Sequence, residues 1–132
     1  MRSLKDAISA VVEGDLKRLS AVLEARHSDL LASAAEIPRL TLTKHAIIRA
    51  MVSWDDGCFD EDTVQKWASF VRRGYVSNEN FGAIRPIEIE YDEQDEELIA
   101  DFIGRLDQIG DMIDGFIDVD ERNNMLDYII NN

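Results

Sequence analysis

The chain is poor in the residues that most often announce a reactive site or a compartment. Among 132 residues there is one cysteine, and there are two histidines. Cys58 alone cannot close an intramolecular disulfide, which points to a reducing compartment. A catalytic thiol would need a base beside it, and His27 and His45 are remote from Cys58 in sequence. The plainer reading of Cys58 is a small surface residue behind a turn glycine. No glycine-rich phosphate loop, nucleophile elbow, paired-cysteine motif or His-x-x-x-His motif occurs. No catalytic residue, metal ligand or cofactor is therefore assigned, and the expectation is a protein that is not an enzyme. No stretch nears the roughly 18 apolar residues of a membrane span. The N-terminus MRSLKDAISAVVEGDLK is too broken by polar residues for a secretory signal. The expected location is the cytoplasm.

Positive charge is the other shortage. Lys and Arg number 14 against 27 Asp and Glu, a net charge of −13. The imbalance is local. Residues 1–53 hold eight basic and six acidic side chains, whereas residues 54–132 hold six and 21. Such a field repels nucleic acid and anionic lipid and attracts basic partners.

What is present is helical patterning. The clearest stretch is WDDGCFDEDTVQKWASFVRRGY, Trp54 to Tyr75. Gly57 suits the left-handed residue that closes a helix. Asp60 suits the N-cap of the next one, with Phe59 and Val64 placed as a hydrophobic staple. Glu61 and Asp62 favour the positive end of that helix dipole, and Arg72 and Arg73 the negative end. Gly74 stops it, and Val64, Trp67, Ala68 and Val71 form its apolar stripe. Trp54 and Trp67 are both expected in the core.

Upstream, Ser3 is placed to cap a first helix that Gly14 ends, and Asp15 caps the next. AISAVVEGDLKRLSAVLEA resembles the helical pair of an ankyrin repeat over about half a repeat. The repeat's turn motif is missing and no second copy follows, so an ordinary helical hairpin is expected. Residues 15–36 read as one helix or as two broken near His27. Pro38 ends that region. Thr43 caps a helix through Trp54, with Leu42 and Ile47 as its staple. Residues 75–91 lack helical period. Within them Ile87 to Tyr91 alternates as a short extended piece with no evident partner strand, and a loop lying along the bundle fits equally. Asp92 or Asp95 then opens a helix whose apolar band runs from Leu98 through Ile113. Gly104 and Gly110 leave room there for a neighbour. Asp118 caps the last helix. One all-α domain over residues 1–132, a bundle of five to six helices, is the expected architecture.

Two acidic features bear on function. DGFIDVDE, Asp114 to Glu121, imitates half of a calcium loop, but two ligand positions fall on Gly110 and Met112. Helix stop plus N-cap explains it without an ion. More unusual is Glu88 to Asp101, with eight carboxylates and no Lys or Arg. A solvated face usually mixes both signs. Glu93, Glu97 and Asp101 fall at four-residue spacing, which on one helix would present them together. Phe81 and Tyr91 flank the run as candidate aromatic anchors.

In size, charge and its aromatic-flanked acidic surface (Phe81, Glu88, Glu90, Tyr91, Asp92, Glu93, Glu96, Glu97), the chain resembles the small acidic helical immunity proteins of bacterial toxin systems, the colicin type included. Trp54 to Tyr75 is also similar to a turn-helix found in proteins of that sort. The extra length and helix count depart from the colicin type. The resemblance implies tight binding to a basic protein, such as a toxin or nuclease, without chemistry of its own. The expected contact set is those eight residues with Asp101, on a monomer or weak homodimer that binds neither nucleic acid nor membrane. The alternative is a structural or adaptor subunit that self-associates through an apolar helix face.

Overall fold

A computed structural model describes residues 4–74, 87–110 and 117–131. Its α-helices are α1 (Leu4–Val12), α2 (Leu19–Leu23), α3 (His27–Ala34), α4 (Lys44–Asp55), α5 (Glu61–Arg73), α6 (Glu96–Asp107) and α7 (Val119–Asn131). Two strands of two residues each, β1 (Thr41–Leu42) and β2 (Glu90–Tyr91), pair in parallel. The protein is thus mostly α-helical, with seven helices among the described residues where sequence pattern gave five to six. The added helix comes from the 15–36 region. It divides into a 3₁₀ turn at Leu16–Arg18, α2 and α3, with Arg26 in an extended conformation between the two helices.

Local chemistry sets most boundaries. The Asp60 carboxylate accepts the Thr63 N–H at 2.9 Å, and Gly74 closes α5 in the left-handed region at φ 78°. Thr43 Oγ1 accepts the Ala46 N–H at 3.3 Å and starts α4. Asp118 accepts the Glu121 N–H at 2.8 Å at the start of α7. Asp15 accepts from Lys17 N–H, so it caps a 3₁₀ turn rather than the α-helix itself. Asp92 does the same for the turn at Glu93–Asp95. Ser3, Met112, Ile113 and Gly115 lie outside the described residues. The α-helical part of the Leu98 band ends at Asp107 and continues as a 3₁₀ turn over Gln108–Gly110. Gly104 does not admit a neighbour, because a Cβ built there meets nothing within 4 Å.

The buried stripes of these helices meet in one core. α5 lies most extensively against α6, α1 against α2 and α3, and α4 against α7. Trp67 is fully buried at the centre, and its indole N–H donates to the Val11 carbonyl of α1 at 2.7 Å. Trp54 is buried under the Arg122 guanidinium, 5.1 Å from the ring centroid, and Arg122 also pairs with Asp55 at 3.1 Å. Both tryptophans are core residues, as their helical positions indicated. Phe59 and Val64, flanking the α5 cap, both join the core cluster.

The extended piece near 87–91 does have a partner. Thr41 pairs with Glu90 and Leu42 with Tyr91. The Glu90 and Asp92 N–H groups donate to the Leu40 and Leu42 carbonyls at 2.9 and 3.0 Å. The Leu40–Leu42 segment thereby holds the entry to α6 against the entry to α4.

Asp60 carries a testable consequence of the capping chemistry. Its backbone and side-chain hydrogen bonds to Thr63 hold the carboxyl below its ordinary pKa. Asp60→Ala should lower the melting temperature at neutral pH by a few degrees. A folded-state pKa below the unfolded one gives stability that is complete above the unfolded value and lost as pH falls through the folded value. The wild-type advantage should therefore shrink on acidification below the ordinary carboxylate range. Thermal melts across that range check it, and an advantage independent of pH would show that Asp60 does not act through its charge.

Candidate functional site

The acidic run from Glu88 to Asp101 does not form a single face. Its residues divide at Tyr91 and Asp92, which are half-buried. Asp92 turns its carboxylate to the Gln94 N–H at 3.3 Å. Tyr91 is packed against the core. Burial pushes its phenol above the ordinary value, with the Arg72 charge opposing and the Asp107 charge adding to that effect. Tyr91 therefore belongs largely to the scaffold. Phe81, the other expected anchor, lies outside the described residues.

On one side of this divide, Glu93, Glu96, Glu97 and Asp101 are all exposed. With Gln94, Asp95, Leu98 and Tyr128 they line a groove of about 570 Å³. Only Glu97 and Asp101 hold their four-residue spacing within α6, because that helix begins at Glu96 and Glu93 sits in the preceding 3₁₀ turn. Glu93 reaches the same groove through the turn. The wall opposite is α7, which contributes Tyr128. That ring is 55% exposed and stacks on Phe102 of α6, with centroids 6.2 Å apart and planes 22° apart. The groove thus combines five carboxylates and one aromatic ring, and among the described residues no Lys or Arg lines it. In chemical terms such a lining suits cationic groups. Carboxylates clustered on one wall attract ammonium and guanidinium groups, and the ring on the opposite wall adds a face for them.

On the other side, Glu88 and Glu90 face a separate cleft. Glu90 is engaged by Arg39, Nε to Oε2 2.6 Å, with both side chains more than half exposed. Hydrogen bonding to Glu90, reinforced by its charge, raises the Arg39 pKa further above its ordinary value.

Two further charged residues are structural: Asp107, which sequence pattern did not single out, and Glu121, which ends the calcium-loop imitation. Asp107 is the one buried charged residue among those described, its side chain 4% exposed. It accepts from Arg72 at 2.8 Å and from Gln65 at 3.3 Å, and Arg73 lies 3.6 Å away. This cluster joins the C-terminal end of α5 to that of α6. Glu121, the residue a calcium loop would require at its last position, instead accepts from Arg105 at 2.6 and 2.9 Å. The pair ties α6 to α7. Among the described residues no group of three or more His, Cys, Asp or Glu side chains is placed to hold a metal ion. Cys58 is exposed. Among the same residues no helix is long and apolar enough to cross a membrane.

Comparison with protein-family models, with curated proteins and with solved structures gave no match to this chain.

Proposed function

We propose that the protein is a binding module that captures a basic protein partner in the groove between the start of α6 and α7, without chemistry of its own. The observation that supports this reading is the groove itself. It has five carboxylates, one half-exposed tyrosine and, among the described residues, no lining cation. A module that neutralises the basic surface of a toxin or nuclease, as an immunity protein does, fits this chemistry. The net charge of −13 would steer encounter, and Tyr128 would be the desolvated anchor that slows departure.

The test separates these two roles. Once a basic partner is identified by affinity capture at low salt, stopped-flow association is measured for Glu93→Lys with Glu97→Lys. Association should slow by about tenfold or more at low salt and by much less at high salt. Tyr128→Ala should raise the dissociation rate and nearly keep the association rate. A double variant that associates at the normal rate at low salt would reduce the groove to a solvated surface and remove the reading.

A second reading has its own support. Val119 and Ile130 are 58% and 56% exposed on α7. Eleven residues apart, they differ by only about 20° around the helix. Exposed apolar residues on one side of a helix suit self-association, as in an adaptor subunit. Sedimentation of the chain alone should then show a dimer that Ile130→Glu dissociates, with little dependence on salt. A monomer at all concentrations rejects it.

A further inference from the structure

The second acidic locus, the cleft holding Glu88 and Glu90, is chemically unlike the groove just described. Its volume is about 410 Å³, within the range of roughly 300–1,000 Å³ typical of ligand pockets. One wall is the C-terminal end of α3 and the turn that follows it, including Leu31, Ala34, Ala35, Ile37 and Leu40. The other is the extended segment leading into β2, with Ile87, Glu88 and Glu90. Leu40 and Ile87 are buried, and Leu31 and Ile37 half-buried against the core, so the floor is fixed rather than contributed by loose side chains.

Charge decides what this floor can accept. Among the described residues, Arg39, Glu88 and Glu90 are the charged ones lining the cleft. Arg39 is committed to Glu90 at 2.6 Å. No ion pair to Glu88 forms among the described residues, and its side chain is exposed. The cleft therefore offers a partly apolar floor and, at its rim, Glu88, a carboxylate without an ion pair among the described residues. An anionic or purely apolar occupant would leave that carboxylate unneutralised or oppose it. An occupant with one apolar side chain beside one cation satisfies both features.

We propose that this cleft is a second contact site, which receives an exposed segment of a protein partner carrying a bulky apolar residue next to a lysine or arginine. The β1–β2 pairing holds the site open. It fastens Glu90 to the Leu40 carbonyl at 2.9 Å and so sets the spacing between the two walls before any partner arrives. Preorganisation of this kind lowers the ordering cost of binding. The site stands apart from the α6–α7 groove, and its existence does not depend on that groove being functional.

The probe is N-acetyl-leucyl-lysine amide, titrated into the isotope-labelled full chain and followed by NMR. Shifts should concentrate on Leu31, Ile37, Leu40, Ile87 and Glu88, with a Kd of about a millimolar, the level such a small fragment can reach. Replacing the lysine of the probe by glutamate should abolish the shifts. Glu88→Gln should weaken binding by about threefold or more, as loss of one charge-assisted contact predicts. Ala35→Trp, an exposed position on the rim, should block the cleft while leaving the melting temperature nearly unchanged. Glu93→Lys with Glu97→Lys should leave the titration unaltered, which distinguishes failure here from failure of the groove. Shifts confined to residues 93–101 and Tyr128, equal binding of the glutamate probe, or no shift at millimolar concentrations would each overturn the proposal.

Discussion

Trp67→Ala is expected to lower the unfolding free energy by about 3–5 kcal/mol, the range for removing a large aromatic side chain from a closed core. Three features place it there. Trp67 has no exposed surface, it lies on the α5 stripe that meets α6, and its indole N–H donates to the Val11 carbonyl at 2.7 Å. The substitution therefore removes apolar burial and unties α5 from α1 at the same time. Trp67→Phe divides the two effects. It keeps most of the ring and loses the hydrogen bond, and the Val11 carbonyl still accepts from the Gly14 N–H at 3.0 Å. Its hydrogen-bond loss alone should be about 1 kcal/mol, with a further cost for the smaller ring. Urea denaturation followed by the fluorescence of Trp54 measures both variants. A Trp67→Ala loss below about 1 kcal/mol would mean that the core collapses around the gap, and that this indole is not its keystone.

The position of Trp67 was legible because a helix repeats its pattern every three to four residues. Caps were legible for a related reason. Thr43, Asp60 and Asp118 each act on a backbone N–H only three residues away, so the whole interaction lies within a short window of sequence. The partner of β2 was not legible. Thr41 and Leu42 pair with Glu90 and Tyr91, and a two-residue parallel strand leaves no alternation to detect. Leu42 also fits a staple for α4, which is where local pattern assigned it.

The same long-range pairing explains what happened to the acidic run. Its composition was plain in the sequence, yet the division at Tyr91 and Asp92 follows from β2 being pulled onto β1. One expected surface became two. Asp107 was hidden for a different reason. A carboxylate in the last turn of α6 looks solvated until Arg72 and Gln65, brought from α5, close over it. Tyr128 carries no local mark either. It lies on the flank of the α7 stripe formed by Arg122, Met125, Leu126 and Ile129, and its value as an anchor depends on α6 running alongside with Phe102 beneath the ring.

Gly14 and Gly57 form a matched pair that separates backbone strain from close approach. Both adopt left-handed angles, φ 92° and 78°. An alanine at either must bear the left-handed penalty, about 1–2 kcal/mol. At Gly57 that is the whole cost, because a Cβ there meets nothing within 4 Å. At Gly14 the added carbon would sit 2.4 Å from the Ala46 carbonyl oxygen and 3.1 Å from the carbon behind it. That obstacle is backbone and cannot rotate away. Ala46 is in the first turn of α4, where its N–H is held by the Thr43 cap, so relief requires moving the start of α4 away from the α1 end. Forced repacking of this kind costs about 1–3 kcal/mol more. Gly14→Ala is therefore expected to lose roughly 2–5 kcal/mol in all, against about 1–2 kcal/mol for Gly57→Ala. Chemical denaturation of the two variants side by side measures the difference. Equal losses would show that α1 and α4 do not meet at Gly14 as closely as a missing Cβ allows.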